Sequence, residues 1–152
     1  MAREIKSEII INETTDKVWN ELMDFKSYDE WNPFIKSISH DSENKELTKG
    51  QQLSVHLHLV NQKNPMKFKP KIKSLIPNQE FSWLGHLYLP YIFDGRHIFE
   101  LQKLENNKTK FIQREQFTGI LAFIVKFIKK DTQDSFDLMN KSLKSRVESV
   151  ST

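Results

Sequence analysis

Three polar side chains interrupt runs of alternating residues that are otherwise apolar: His97, Gln113 and Glu115. Residues 92–104 place Phe93, Gly95, His97, Phe99 and Leu101 on one face and Asp94, Arg96, Ile98 and Glu100 on the other. This follows because successive strand side chains point to opposite faces. Residues 109–117 turn Phe111, Gln113, Glu115 and Phe117 the same way. The turn at Glu105-Asn106-Asn107-Lys108 makes the two runs a hairpin, so the three polar groups share one region. An imidazole and a carboxylate facing an apolar interior are costly unless paired. His97 and Glu115 are therefore expected to hydrogen-bond each other or a polar group of a ligand. An acid beside a base can assist proton transfer in a cyclisation or dehydration. A second reading stands beside this one: a satisfied pair that fixes register, or residues at an open rim.

The other candidates are weaker. His56 and His58 share the outward face of residues 52–60 with Ser54, and no third ligand is apparent from spacing. A metal site needs three or four ligands, so none is expected. His40 and His86 read as loop and outer-face residues. There is no cysteine, which excludes disulfides, thiolate nucleophiles and iron–sulfur clusters. Phosphate-loop, nucleophile-elbow and zinc-protease motifs are absent, and no cofactor is expected. Gly95 inside a strand suggests a bulge or a tight bend. Arg96 is expected to pair with Glu100 on the outward face. Lysines 67, 69, 71 and 73 alternate along one face of residues 66–76. Phe68 points the other way, where it cannot stack on a base held by the lysines. The stripe is read as a solvated face, and no nucleic acid is expected.

These residues need elements to position them. The chain has 152 residues, 38% hydrophobic and 28% charged, which suits one domain over 1–152. Net charge is +3, a weak bias. Met1-Ala2-Arg3-Glu4-Ile5-Lys6 lacks the apolar run of a secretory signal, so a cytoplasmic protein is expected. The longest apolar stretch, Gly119 to Val125, is far short of the ~20 residues that span a bilayer. Alternation predicts strands over 3–11, 34–40, 52–60, 66–76, 80–88, 92–104 and 109–117. Pro70 cannot donate to a ladder, so an edge or bulge is expected there. Phe81, Trp83, Gly85 and Leu87 share the inward face of 80–88. Thr14 or Thr15 caps a short helix over 15–23, and a second covers Lys26 to Trp31. After Thr118 the period becomes helical: Leu121, Val125, Ile128, Phe136, Met139, Leu143, Val147 and Val150 form the stripe of one long helix over 120–150. Lys129 to Asp134 is polar throughout, so a bend or exposure is expected there. The sum is an α+β architecture: a curved antiparallel sheet of about seven strands, two short helices between strands 1 and 2, and a long C-terminal helix against the sheet.

That order resembles the helix-grip fold of the START-like, or SRPBCC, superfamily. Particular segments resemble its bacterial polyketide cyclase/dehydrase-like branch. They are Val18 to Phe25, then Tyr28-Asp29-Glu30-Trp31-Asn32-Pro33-Phe34-Ile35, Phe93 to Phe99, Gln113 to Gly119, Asp131-Thr132 and Phe136 to Asn140. The resemblance implies a cavity between sheet and long helix that holds a small hydrophobic molecule. The inward residues Val55, Leu57, Phe68, Ile72, Trp83 and Phe93 are candidate lining, as are Phe99, Phe111 and Phe117, with Val125, Ile128 and Met139 from the helix. Gln113, His97 and Glu115 join them. In this family the region of Trp31 and Phe34 borders the cavity mouth. This makes Trp31 a candidate lid or anchor, or else a plug between the short helices and the sheet. Three functions are compatible with the resemblance. The first is a carrier or sensor of a lipid-, polyketide- or aromatic-like ligand. The second is a cyclase/aromatase-like enzyme using His97 and Glu115. The third is a chaperone co-activator-like interaction domain. A monomer or weak homodimer is expected.

Overall fold

Period-two segments pair into sheets, and the period-3.6 segment covers them. The structure is a computed structural model that describes residues 3–41, 46–86 and 92–150. The elements run β1 (Arg3–Ile11), α1 (Thr15–Met23), α2 (Tyr28–Trp31), β2 (Ile35–Ser39), β3 (Ser54–Leu57), β4 (Met66–Phe68), β5 (Lys71–Ile76), β6 (Glu80–His86), β7 (Asp94–Leu104), β8 (Lys108–Thr118) and α3 (Val125–Val150). Five strands form one antiparallel sheet in the order β1-β8-β7-β6-β5, and three form another in the order β2-β3-β4. This is the helix-grip α+β architecture. Leu87, expected to face inward, lies outside the described residues.

The strand expected over 66–76 is two strands in two different sheets. Pro70 has no N–H, but its carbonyl accepts from Leu53 N–H at 2.8 Å. Ile72 N–H donates to the Gln51 carbonyl at 2.9 Å. Pro70 thus makes the corner at which the chain passes between sheets. The four alternating lysines are all exposed, but they are spread over this corner and not along one strand.

The short helices pack on the sheets, α1 against β7, β8 and α3, and α2 against β2. Val18, Trp19 and Leu22 bury one face of α1. The Tyr28 hydroxyl, fully buried, donates to the Leu22 carbonyl. Burial drives its phenol pKa far up, so it stays a neutral donor. Asn32 starts β2: its side-chain oxygen accepts from Phe34 N–H at 3.0 Å and Ile35 N–H at 2.8 Å. That local turn aims Phe34 inward.

The long helix is entered through a 3-10 turn at Ala122–Ile124, so α3 begins later than residue 120. Gly119 makes the turn out of β8 at φ +102, a conformation that costs glycine little. Phe136, Met139, Leu143 and Val147 are buried against the sheet, while Val150 is exposed. Within the polar stretch, Lys129 and Lys130 are exposed but Thr132 is buried. It follows Ile128 and precedes Phe136 at the four-residue spacing of one helix face.

Candidate functional site

β7 and β8 pair in continuous register, with Gly95 opposite Phe117 and His97 opposite Glu115. No bulge occurs at Gly95. The glycine serves a close approach instead: a Cβ there would stand 2.5 Å from Glu115 Oε1. The carboxyl of Glu115 therefore lies over the bare Gly95 backbone. Its Oε2 sits 2.6 Å from His97 Nδ1.

His97 is deeply enclosed. Its ring stacks on Trp83 at 5.1 Å between centroids and packs against Phe99 at 4.4 Å and Phe136 at 5.1 Å. Its Nε2 donates to Gln113 Oε1 at 3.2 Å. The Gln113 amide donates to Asn140 Oδ1 at 2.6 Å. The Asn140 amide donates to Ser7 Oγ at 3.0 Å, and the Ser7 hydroxyl donates to Asp137 Oδ1. These donors run in one direction, toward the Asp137 carboxylate, and the Gln113 amide also donates to the Phe136 carbonyl at 3.4 Å. The direction decides the histidine tautomer: Nε2 carries a proton, because amide oxygens only accept. The 2.6 Å contact between Nδ1 and Oε2 then needs one further proton between them, on whichever atom it resides. His97 and Glu115 are thus joined by a single hydrogen bond between Nδ1 and Oε2. Glu115 is the accessible partner, its side chain 15% exposed against 3% for His97.

The pair stands at the wall of a chamber of about 70 Å³. The chamber is lined by Phe34, Leu57, Leu59, Met66, Phe68, Phe117, Ile128, Thr132 and Phe136, together with His97 and Glu115. Beside it lies a wider opening of about 300 Å³, reached past Phe93, Ile124, Gln62 and Asn64 and sharing Leu59, Met66 and Ile128. Other expected lining residues are packed into the core. Trp83, Phe99, Phe111, Val125 and Met139 are buried core, as are Val55 and Ile72. Gln113 is buried as a link in the polar chain and does not face the chamber. Trp31 lies elsewhere: it packs on Tyr28 at 5.1 Å and borders a surface hollow with Glu30, Leu138 and Arg146. Leu59, Met66, Thr132 and Phe136 line the chamber without having been among the expected lining residues. Thr132 had a signal, its four-residue spacing from Ile128 and Phe136.

On the outer face, Arg96 does not pair with Glu100. It reaches Glu80 at 3.7 Å and donates to Ser82 Oγ at 3.3 Å, while Glu100 accepts from Arg114 at 2.7 Å. Residues across neighbouring strands stand closer than residues four apart on one strand. His86 Nδ1 lies 2.6 Å from Asp94 Oδ1, and His58 Nε2 lies 2.6 Å from the Gln62 carbonyl. Among the described residues, no group of three metal-ligating side chains converges.

No protein-family model and no curated protein sequence matches the chain. Solved structures do. An aromatase/cyclase from Streptomyces sp. R1128 superposes with a TM-score of 0.74 at 12% identity, over 97% of this chain and 94% of that one. A START superfamily protein from Mycobacterium smegmatis gives 0.73 at 17% identity, over 97% and 98%. The chain has the START-like helix-grip fold. A norcoclaurine synthase point mutant from Thalictrum flavum shares the helix-grip fold too, with a TM-score of 0.73 at 12% identity over 100% and 98%. At these identities the likeness fixes the fold and leaves ligand and reaction to the site itself. Among the described residues, no helix is long and apolar enough to cross a membrane.

Proposed function

We propose that this helix-grip protein binds a small, mostly apolar molecule bearing one hydrogen-bonding group, as a carrier or sensor. The apolar body occupies the opening bounded by Leu59, Met66, Phe93 and Ile128, and its polar group meets Glu115 in the inner chamber. One observation carries the reading: the hydrogen-bonded His97–Glu115 pair stands at the wall of an apolar chamber that shares Leu59, Met66 and Ile128 with a wider opening. Ligand sites are mostly apolar with a few placed polar groups, commonly ~300–1,000 Å³ in volume. The inner chamber alone is below that range, and the adjoining opening brings the site into it. A lipid-, polyketide- or aromatic-like ligand meets the requirement. The protein acts as one domain over 1–152, in the cytoplasm, as a monomer or weak homodimer.

The experiment is native mass spectrometry of freshly purified protein, then organic extraction and identification of the bound species. A discrete excess mass is expected. The extracted compound should then bind Glu115→Gln at least tenfold more weakly, about 1.4 kcal/mol. A protein that stays at its bare mass in a screen of apolar hydroxylated compounds, or equal affinity in the variant, overturns the reading.

The short His97–Glu115 contact favours a second reading, acid–base catalysis of a cyclisation or dehydration. Proteins of this fold named as an aromatase/cyclase and a norcoclaurine synthase support it as analogy. Turnover of the extracted compound that disappears in His97→Ala would establish it, and an unchanged compound after incubation would remove it.

A further inference from the structure

The segment that leads into α3 is apolar on two sides. Leu121, Ile124, Val125 and Ile128 turn toward the core and the opening. Ile120, Phe123 and Phe127, at spacings of three and four, turn away from it and are 72%, 50% and 74% exposed. A helix start that is apolar all round is ordinarily buried by something. Large exposed apolar side chains grouped together mark interaction surfaces.

Charge indicates the partner. Between Glu115 and Asp131 there is no acidic residue, while Lys126, Lys129 and Lys130 all fall there. All three are exposed, and the Lys126 ammonium sits 5.0 Å from the centroid of the Phe127 ring. Lys130 is bridged to Asp134 at 2.7 Å yet remains 83% exposed. Exposed apolar side chains with lysines on the same segment match an anionic bilayer surface, with rings at the headgroup level and ammonium groups reaching the phosphates. A second copy of the chain fits less well, because a symmetric contact would set each copy's lysines against the other's.

We propose that Ile120, Phe123 and Phe127, with Lys126, Lys129 and Lys130, dock the protein peripherally on anionic lipid bilayers with the opening of the cavity beside the membrane. Ile124 and Ile128 lie on the same segment and line that opening. An apolar molecule could then pass between bilayer and cavity without crossing water. Docking itself does not require the cavity to hold a ligand.

The test is flotation of the full chain with phosphatidylcholine vesicles, with and without added phosphatidylglycerol. Wild type should bind the anionic vesicles, and binding should fall as salt rises. Phe123→Ser/Phe127→Ser should lower it at least tenfold. These side chains are exposed, so the melting temperature should hold. Reversal of Lys126 and Lys129 to Glu should lower it by more than about fivefold per residue, the factor corresponding to about 1 kcal/mol per cation near an anionic surface. The excess mass of copurified ligand should persist in the Phe variant, which separates failure of docking from failure of ligand binding. Absence of vesicle binding by wild type overturns the proposal. So does equal binding by both variants, and so does a concentration-dependent dimer that the Phe variant abolishes.

Discussion

Asn140 joins the two halves of the buried polar chain, accepting from Gln113 and donating to Ser7. Asn140→Leu removes one hydrogen bond from each neighbour, leaving Gln113 to His97 and the Phe136 carbonyl and Ser7 to Asp137. A buried hydrogen bond is worth about 0.5–1.5 kcal/mol, so loss of the two should appear in chemical denaturation as about 1–3 kcal/mol. A merely structural role would end there. If the chain sets the tautomer, the ¹⁵N spectrum of His97 should show a protonated Nε2 in wild type and a mixed tautomer in the variant, because the Gln113 amide is then held only by its 3.4 Å bond to the Phe136 carbonyl. Strand parity alone brought His97, Gln113 and Glu115 to one face, and the register confirms the grouping. Parity could not reach Ser7, Asn140 and Asp137. They stand on other elements as ordinary polar residues, and only the docking of α3 across β1 makes them partners. Gly95 shows the same limit. Sequence shows that a side chain is absent there, but not what occupies the space.

At the scale of elements, the end of α3 is pinned to the end of β1. Glu148 accepts from Lys144 and, at 2.9 Å, from the backbone N–H of Asn12. The Lys144 hydrogen bond, and then the Asn12 one, hold the Glu148 carboxyl below the ordinary glutamate range. A lowered folded-state value stabilises the fold above the unfolded-state value, and the effect is lost as pH falls through the folded one. Glu148→Gln should therefore cost stability at neutral pH and cost nothing in strong acid. The side chain is 30% exposed, so the neutral-pH loss should be only about 0.5 kcal/mol. Urea midpoints of both proteins across the acidic range would show the two curves converging. A gap that persists in strong acid would mean that the glutamate acts through packing. Alternation and the 3.6 period made most elements legible. They failed at 66–76 because alternation continues through Pro70 while hydrogen bonding does not. They do not single out Ile120, Phe123 and Phe127, because one apolar stripe is enough to pack a helix and a second on the opposite side has no partner in the sequence.

At the scale of the whole molecule, a fold this rich in inward aromatics could have closed completely, and most of its interior has. Trp83, Phe81, Phe99 and Phe111 fill the deep part of the sheet's concavity. What stays open is the end where the short strands β3 and β4 face the beginning of α3. Sequence reveals that large side chains point inward but not how they divide the space, since cavity volume arises from rotamers and packing. Thr132→Phe tests whether the open end is kept for function. The ring would enter the chamber of about 70 Å³ between Ile128 and Phe136. Filling a void in an otherwise packed core commonly stabilises a protein by about 0.5–2 kcal/mol. The variant should therefore melt at or above the wild-type temperature while losing the copurified mass. Gain of stability with loss of ligand would mark the chamber as a site held open against the interest of packing. A variant that is destabilised and still carries its ligand would place the bound molecule outside the chamber, in the opening beside Phe93.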